Sequence, residues 1–549
     1  MSLVFFPLVP LWSALLVYIF GRKSERVAYS ISLTLSFITL ALSIVAVFHY
    51  YTRGEYEISI TPFITFYIDA LSAVMALAVS TISAIVHAYS VRYMQDDEGY
   101  ARFFALLDLM TFSILITVTA GNLILMLTGW ILVGVVLYFL LSHDLRFEQA
   151  HRFSLWTFLT HRLGDIPLLF AVLLLYKEFN TFDVALIKDK LTSGDAPQNI
   201  ELVGILIVLS AFAKSAQFPL HLWLPYTMAG PTPVSALMHA GIVNAGGFLI
   251  NRFAPVFFHA EMGLHLAFWV GLITAVLGSM LMLMQTDIKK SLGYSTVGQM
   301  GYMIMECGVG AFALAIYHLI AHGIFKATLF MGSGGVIHEA RKDPNIPEDE
   351  VYSFFVKKEL PPTRLPWIVF ALITVSVPLA IVIGAHLVVG PHLFEYQGAI
   401  ILLFFGWVTG AQTIFSIYKL GARSVYKLLL FVVLSFSIVV LGYVLIGHSF
   451  EKFLYPDKEF IDRIYHNAGI NPVLFEFQIV ALTFLVALGW LFVYYANQNR
   501  DLVLPKFRGV YTALYTHLSR ELYIGDIYGA VAGALVRLSE RINRSLRWM

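Results

Sequence analysis

Residues 202–223 read LVGILIVLSAFAKSAQFPLHLW, an apolar run that carries one lysine, Lys214, and one proline, Pro219. A run of this length is typical of a transmembrane helix. A proline inside such a helix removes a backbone donor and frees a carbonyl, which in lipid must find another partner. A second interruption, Gly230-Pro231-Thr232-Pro233, precedes the next apolar run. The stretch therefore predicts broken membrane helices, which are tolerated where they line a polar cavity.

Apolar runs of similar length recur along the chain. Of the 549 residues, 58% are hydrophobic and 13% are charged, whereas a soluble domain keeps about a quarter of its residues charged. We predict an all-α polytopic membrane protein of about fifteen transmembrane helices. The predicted spans lie near 3–20, 28–49, 67–91, 103–119, 122–141, 154–176, 202–223, 232–255, 264–284, 293–309, 312–335, 366–388, 398–420, 425–447 and 474–496.

Charge and cysteine content exclude several classes of function. The formal net charge of +1 gives no reason to expect a nucleic-acid partner, and the single cysteine is Cys307. One cysteine cannot form a disulfide framework, hold an iron–sulfur cluster or build a cysteine-rich zinc site. We therefore predict no cofactor in this chain.

The distribution of Lys and Arg among the loops predicts the orientation. Loops after odd-numbered spans carry basic pairs such as Arg22-Lys23 and Lys289-Lys290, and the opposite loops hold fewer. Because basic loops stay in the cytoplasm, we expect the N-terminus outside and the C-terminus in the cytoplasm.

Residues 338–364, with Pro361-Pro362, predict a charged loop. Residues 501–549 predict an amphipathic region, either a surface anchor or a docking site for a soluble partner.

Lys214 lies several residues from the nearest predicted loop. A charge at bilayer depth costs at least about 2.5–3.5 kcal/mol on insertion scales, so ionisable residues there are functional candidates. A lysine in a low-dielectric site can release and regain a proton near neutral pH. The competing interpretation is a structural lysine whose long side chain reaches the membrane surface.

His318, His322 and Lys326 follow one another at spacings of four residues within an apolar run. In a helix they share one face, and eight residues span about 12 Å. Imidazole accepts and donates protons at neutral pH, so the three residues predict a proton relay. A histidine metal site is less favoured, because the sequence shows no nearby carboxylate at ligand spacing, and we predict no bound metal.

Other intramembrane polar residues allow two interpretations. Asp165 begins the apolar part of the sixth span, one turn after Arg162. The two form either an ion pair at the membrane interface or a carboxylate site that tunes Lys214. His239 either passes protons laterally or is a hydrogen-bonded packing residue. Weaker candidates, more consistent with structural roles, are Asp69, Asp108 and His87.

Several of these stretches resemble the proton-conducting antiporter-like subunits, which include the large membrane-arm subunit of respiratory complex I and the Mrp antiporters. The stretches are KSAQFPLHLWLP (214–225) with MAGPTPVSALMH (228–239), QTDIKKSLGYSTVGQMGY (285–302) and HLIAHGIFKATLF (318–330). The resemblance extends from the first helix to about residue 340. It implies inverted repeats and conduction of H⁺ (or Na⁺), of which the titratable Lys and His residues favour H⁺.

Position by position, the family pattern implies a role for each residue. Lys214 corresponds to the central lysine of a broken helix and His239 to a bridging histidine. Arg162 and Asp165 match the family's Arg-Leu/Val-Gly-Asp segment. The implied central relay consists of His318, His322 and Lys326.

Two features depart from the family pattern. Complex I members carry a glutamate after Gly-Trp in the fifth helix, but Ile131-Leu132 follows Gly129-Trp130 here. Asp165 is the expected substitute. The later Gly-Phe-Phe-Ser-Lys-Asp motif has no counterpart, because residues 366–386 keep Pro378 but contain no lysine or acid. The departures indicate the DabB branch, the membrane subunits of the DAB-type inorganic carbon pumps.

This branch implies an energy-coupling transporter subunit of the bacterial inner membrane that is not itself an enzyme. Its implied partner is a DabA-like cytoplasmic subunit, similar to a zinc carbonic anhydrase, that hydrates CO₂ to bicarbonate. Two alternatives remain: a pumping subunit of a complex I-type quinone oxidoreductase, and a membrane scaffold that has lost conduction.

We expect six segments along the chain. They are N-terminal helices (1–100), a proton-conducting core (101–340), a cytoplasmic loop (341–364), divergent second-half helices (365–447), an extracytoplasmic loop with the last clear span (448–500) and a cytoplasmic-side amphipathic region (501–549).

Overall fold

The structure, a computed structural model, describes residues 6–194, 197–227, 230–342 and 367–389, single positions between 397 and 407, and residues 425–498 and 500–546. The chain divides into two compact units. Unit 1 comprises Met1–Gly308, Ala315–Gly334 and Tyr515–Met549, and unit 2 comprises Val309–Leu314 and Gly335–Leu514.

Helices make up most of the described residues, so the predicted all-α membrane fold is confirmed. In chain order the elements are α1 (Val9–Phe20), α2 (Glu25–Arg53), β1 (Tyr56–Thr61), β2 (Ile64–Ile68), α3 (Ala70–Tyr93), α4 (Tyr100–Thr119), α5 (Leu123–Leu141), α6 (Glu148–Phe179), α7 (Val184–Thr192), α8 (Ile200–Lys214), α9 (Trp223–Tyr226), α10 (Thr232–Leu237), α11 (Ala245–Arg252), α12 (Ala254–Phe257), α13 (Glu261–Met284), α14 (Ile288–Gly308), α15 (Phe312–Lys342), α16 (Trp367–Val389), α17 (Val425–Leu454), α18 (Lys458–Ala468), α19 (Pro472–Gln498), α20 (Arg500–Ser519) and α21 (Ile524–Leu546).

Ten helices within the described ranges are long and apolar enough to cross a membrane. The predicted span 202–223 is shorter as a helix, because α8 ends at Lys214. Most of the predicted span 398–420 lies outside the described residues. Between α2 and α3 the chain forms an antiparallel hairpin, in which β1 pairs with β2, where we expected only a loop.

Close helix packing in unit 1 depends on small residues. A Cβ atom at Gly271 of α13 would lie 2.6 Å from the backbone nitrogen of Met305, and one at Gly301 of α14 would lie 2.3 Å from that of Ala275. Only glycine therefore allows α13 and α14 to approach this closely. Such small-residue contacts are the usual basis of helix association in membranes, where apolar burial gives no net gain.

At the break after α8, side chains form hydrogen bonds with the backbone groups that the interrupted helix leaves without partners. Ala216, with φ of 49°, turns the chain out of the helix. The indole nitrogen of Trp223 donates to the Ala213 carbonyl at 3.0 Å, and the Phe218 N–H donates to the Thr274 hydroxyl at 2.9 Å. The predicted interruption is thus confirmed, and the partners that lipid cannot supply come from neighbouring elements.

A second break separates α10 from α11, where residues Met238–Ile242 form a π-helical turn. Ser215 joins the two breaks: its hydroxyl donates to the Val243 carbonyl at 2.7 Å and accepts from the Gly246 N–H at 3.0 Å. One side chain therefore fixes the end of α8 against the start of α11.

In unit 2, α16 packs against α17 and α19. Pro378 lies inside α16, which is one uninterrupted helix. The indole nitrogen of Trp407 donates to the Val375 carbonyl at 2.7 Å. Within α16, therefore, unit 2 has no helix break like the one that follows Lys214 in unit 1.

The sequence interpretation was wrong at one loop boundary. Residues 338–342, predicted as part of the loop, continue α15; residues 343–364 lie outside the described part of the chain. The amphipathic region consists of α20 and α21, separated by a short turn at Glu521–Tyr523.

Candidate functional site

Lys214, the last residue of α8, is buried in the interior of unit 1 with an exposed fraction of 0%. Its Nζ donates a hydrogen bond to the Trp130 carbonyl of α5 and lies 4.5 Å from the centroid of the Trp130 ring. The long side chain therefore points towards α5 and does not reach the surface. The carbonyl and the π face both stabilise a positive charge.

Arg162 and Asp165 lie in the middle of α6. Arg162 Nη2 contacts Asp165 Oδ2 at 2.9 Å and donates to the Ile131 carbonyl at 3.0 Å. A Cβ atom at Gly134 would lie 2.6 Å from the same Nη2, so glycine makes room for the guanidinium.

Two backbone carbonyls of α5 thus bind the cations, in the helix where the family resemblance implies a glutamate. The Trp130 carbonyl accepts from Lys214, and the Ile131 carbonyl accepts from Arg162. Of the residues the structure describes, none with a carboxylate forms an ion pair with Lys214. Asp165 pairs with Arg162 instead, and any influence on Lys214 acts through space.

His239 belongs to the π-helical turn and is buried. Its ring stacks on Phe330 of α15 with centroids 4.2 Å apart, and within the described ranges its Nδ1 has no hydrogen-bond partner. Gly323 of α15 allows the crossing, since a Cβ atom there would lie 2.6 Å from the Ala240 carbonyl oxygen. The π turn therefore brings His239 against the helix that carries the predicted relay.

The predicted relay residues lie on α15 within unit 1. The rings of His318 and His322 have centroids 6.1 Å apart. Both ring nitrogens of His322 are buried without a partner in the described part of the chain. Lys326, 2% exposed, donates to Ser295 Oγ at 2.9 Å and to the Leu292 carbonyl at 3.3 Å.

Sequence reasoning missed the carboxylate beside this column. Glu306 of α14 lies with its Oε2 3.0 Å from His318 Nδ1, and Gln299 Oε1 lies 3.1 Å from His318 Nε2. The sequence analysis considered only carboxylates at metal-ligand spacing along the chain, and Glu306 lies 12 residues before His318. The signal was present, because an acid inside the apolar run Met303–Cys307 is a functional candidate by default.

His161 of α6 was also missed as a candidate. It is fully buried, its ring meets Trp223 edge-on at 4.6 Å, and neither ring nitrogen has a hydrogen-bond partner among the described residues. It lies one residue from Arg162. A buried imidazole with two free nitrogens is able to exchange protons if water reaches it.

Lys214 lines a small cavity of about 30 Å³ that extends to Leu319 and Ile320 of α15, the helix that carries the column. Lys214 is the titratable residue in its lining, which also includes Ala240, Ile242 and Leu319. Most lining side chains are apolar. Proton transfer across this space therefore requires water between Lys214 and α15.

The weaker candidates form satisfied polar contacts. His87 Nε2 lies 3.1 Å from Asp108 Oδ1, and Ser13 donates to Asp108 Oδ2 at 2.8 Å. Asp69 accepts from Arg252 at 2.8 and 3.2 Å. These buried pairs tie α1, α3, α4 and α11 together, which agrees with structural roles.

A helix broken at a buried lysine, a second helix broken at a histidine and a neighbouring His–Lys column define an antiporter-like membrane protein. The family model for the transmembrane region of NADH:quinone oxidoreductase and Mrp antiporters matches residues 120–413, and the model for the N-terminus of complex I chain 5 matches residues 58–104. The chain belongs to this family, in the branch of the DabB subunits of inorganic carbon transporters.

Individual relatives support this placement. A probable inorganic carbon transporter subunit DabB1 from Halothiobacillus neapolitanus is 49% identical over 99% of this chain and 98% of its own length. The chloroplastic NAD(P)H-quinone oxidoreductase subunit 5 of Chaetosphaeridium globosum is 34% identical over 75% of this chain, but the match covers 65% of that protein. The structure of the Mrp complex from Dietzia sp. shares the fold, with a TM-score of 0.61 and 22% identity over 100% of this chain and 63% of that chain.

Proposed function

We propose that this chain conducts a cation, H⁺, through the membrane and couples the proton motive force to inorganic carbon accumulation by a cytoplasmic partner. The partner would be a zinc carbonic-anhydrase-like subunit of the DabA type. The observation that carries the proposal is Lys214, a fully buried lysine held by the α5 backbone and facing a cavity that leads to α15.

The cost of burying these groups supports a transport role. An intramembrane lysine costs at least about 2.5–3.5 kcal/mol, and unit 1 buries both Lys214 and Lys326. A packing role would be served by an apolar residue at no such cost. Unit 1 also buries two imidazoles, His239 and His322, with ring nitrogens that have no hydrogen-bond partner among the described residues.

Proton movement would supply the energy for carbon capture. A cation that crosses the membrane releases about 2.3 kcal/mol per charge for each 100 mV, and a pH gradient adds to this. Protons would pass between Lys214 and the column when water enters the apolar cavity. In the dry cavity, transfer would stop, so the lining would act as a gate.

The membrane and its orientation belong to the same proposal. We place the chain in a bacterial inner membrane with the N-terminus outside and the C-terminus in the cytoplasm, as the Lys and Arg distribution predicts. In this orientation the amphipathic region 501–549 would face the cytoplasmic partner.

Exchange of the two lysines tests the proposal. The chain and its co-purifying partner are reconstituted in proteoliposomes, and proton flux is measured for the wild type, Lys214→Met and Lys326→Met. We expect each substitution to reduce flux at least tenfold and to abolish growth that depends on ambient CO₂. Lys177→Met is the control, because Lys177 is exposed at the end of α6. Normal flux and growth in both variants would overturn the proposal.

A second function is favoured by the quinone oxidoreductase relatives, and purification separates the two. As part of a redox complex the chain would co-purify with several membrane subunits and a flavin and iron–sulfur spectrum. The proposed function requires one large zinc protein instead. The DabB1 relative matches over its whole length, whereas the chain spans 65% of the Chaetosphaeridium subunit, so we favour the carbon transporter.

A further inference from the structure

Glu306 lies on α14 near its end, and its carboxylate is buried beside the relay column. Both carboxylate oxygens approach His318 Nδ1, at 3.0 and 3.1 Å. On the other side of the ring, His318 Nε2 faces the Gln299 side-chain oxygen at 3.1 Å. Both nitrogens of this imidazole thus face acceptors, which is the hydrogen-bond environment of a doubly protonated ring.

We propose that Glu306 is the counter-ion of His318 and that the pair forms the proton-exchanging end of the column, opposite Lys326. The inference rests on the proposed function, because it assigns a further proton-carrying residue to the same pathway. Glu306 is not among the residues to which the family pattern assigns a role.

Charge balance explains why an acid is useful at this place. With the proton on His318 Nδ1, an imidazolium faces a carboxylate; with the proton on Glu306, a neutral imidazole faces a carboxylic acid. The pair is neutral in both states, so the shared proton moves without the appearance of net charge in a low-dielectric site. When the second proton, on Nε2, passes to the next acceptor along the column, the pair carries one negative charge until another proton enters and restores neutrality.

The next acceptor along α15 suits this transfer. His322 lies one turn further, with ring centroids 6.1 Å apart, and its two nitrogens carry no hydrogen bond within the described residues. One water molecule between the rings would complete the connection. Lys326 follows after another turn and has its own partners in Ser295 and Leu292.

Other ionisable groups lie on the helices that carry the pair and on the elements that contact them. They include Tyr317, His322 and Lys326 on α15, Lys289, Lys290, Tyr294, Tyr302 and Cys307 on α14, Glu261 and His265 on α13, Arg252 on α11, Tyr226 on α9 and His239 in the π-helical turn. Among the residues described, Glu306 is the carboxylate that contacts His318.

The test is proton flux as a function of pH in proteoliposomes that contain the chain with its partner. We expect Glu306→Gln to lower flux at least tenfold near neutral pH and to move its optimum to lower pH. The reason is that an imidazole without a counter-ion needs a more acidic medium to hold its second proton. Glu306→Asp should recover part of the flux and keep the wild-type optimum.

Two comparisons keep the test specific. Glu261→Gln removes an exposed carboxylate at the start of α13 and should leave flux and optimum unchanged. Glu306→Gln combined with His318→Gln should lose no more flux than the more severe single variant, because the two residues act as one unit. This non-additivity would not follow from a packing role.

The outcomes separate this inference from the proposed function. Suppose that Lys214→Met reduces the flux but Glu306→Gln changes neither the flux nor its pH optimum. This result would overturn only the role of Glu306. Absence of flux in the wild type would overturn both. If Glu306→Gln does not assemble, Glu306→Asp decides the question. A pH optimum unlike that of the wild type would count against the pair. The wild-type optimum at reduced flux would support the pair.

Discussion

At the scale of the residue, the site depends on backbone carbonyls as much as on side chains. Lys214 and Arg162 both bind carbonyls of α5, at Trp130 and Ile131, in the helix where the family resemblance implies a glutamate. A carbonyl stabilises an ammonium without ever taking its proton. Lys214 would therefore exchange protons with water in the cavity and not with a fixed carboxylate.

Outside the membrane spans, Asp97 provides a prediction about pH. It lies in the turn between α3 and α4, where burial tends to raise the pKa of its carboxyl. The hydrogen bonds with His143, at 2.9 Å, and from the Gly99 N–H, at 2.7 Å, outweigh burial and hold this pKa below its ordinary value. A lowered pKa in the fold stabilises the chain above the unfolded-state pKa, and this contribution is lost as the pH falls through the folded value.

We therefore expect Asp97→Asn to lower the free energy of unfolding at pH 7 by about 1 kcal/mol or less, because the carboxylate is partly exposed. The difference from the wild type should be full above the unfolded-state pKa of about 4 and should disappear as the pH falls from there through the lower folded value. Thermal unfolding in detergent from acidic to neutral pH measures both effects. Asp96→Asn, at an exposed position with φ of 67° that asparagine tolerates, is the control. Equal losses in the two variants would contradict the expectation.

Residue types could be predicted from the sequence, but their partners could not. Lys214, His318 and Lys326 were recognisable because ionisable groups are rare in apolar helices. That Asp165 pairs with Arg162 follows from their spacing of three residues. The contact of Glu306 with His318 joins two helices, and no local spacing predicts which face of α14 meets α15.

At the scale of the element, the two helix breaks act together through Ser215. Its hydroxyl satisfies the Val243 carbonyl and the Gly246 N–H at once, and all three groups are buried between α8 and α11. Prolines and glycines in the sequence predicted that both helices would be interrupted. The link between the interruptions was not predictable, because it requires knowledge of how α8 and α11 pack.

Ser215→Ala should leave a buried donor and a buried acceptor without partners and cost about 1–3 kcal/mol. It should also reduce proton flux, because the end of α8 carries Lys214. The matched control is Ser210→Ala, one turn earlier on α8, since the buried Ser210 hydroxyl has no hydrogen-bond partner among the described residues. Thermal unfolding and flux are measured for both. A Ser210→Ala loss as large as that of Ser215→Ala would show that the link between the breaks is not responsible.

At the scale of the whole molecule, unit 1 is built from distant parts of the chain. The segment Tyr515–Met549 belongs to the same unit as the broken helices. Glu521 is buried in a turn where it and the next two residues have φ of 53°, 57° and 61°. Left-handed backbone costs roughly 1–2 kcal/mol for each such residue, so the turn needs stabilising contacts.

These contacts come from the core of unit 1. Glu521 pairs with Lys290 of α14 at 2.5 Å and accepts from the Tyr226 hydroxyl of α9 at 2.8 Å. Tyr528 of α21 packs edge-on against Trp156 of α6, with centroids 5.4 Å apart. The amphipathic C-terminal region is thus attached next to the break after Lys214. The sequence showed its amphipathic pattern but could not show this attachment, which joins residues about 300 positions apart.

Glu521→Ala should release α21 from the core, because the partly buried Lys290 ammonium loses its counter-ion. Breaking a buried pair costs about 3–5 kcal/mol, so amide hydrogen exchange over residues 524–546 should accelerate at least a hundredfold, while exchange in α13 stays unchanged. Lys290→Met should give the same pattern, and the double variant should add little to either single change. Glu540→Ala, on the exposed face of α21, is the control. If α21 kept its wild-type exchange in Glu521→Ala, the ion pair would not be what attaches it, and the aromatic contact of Tyr528 would have to suffice.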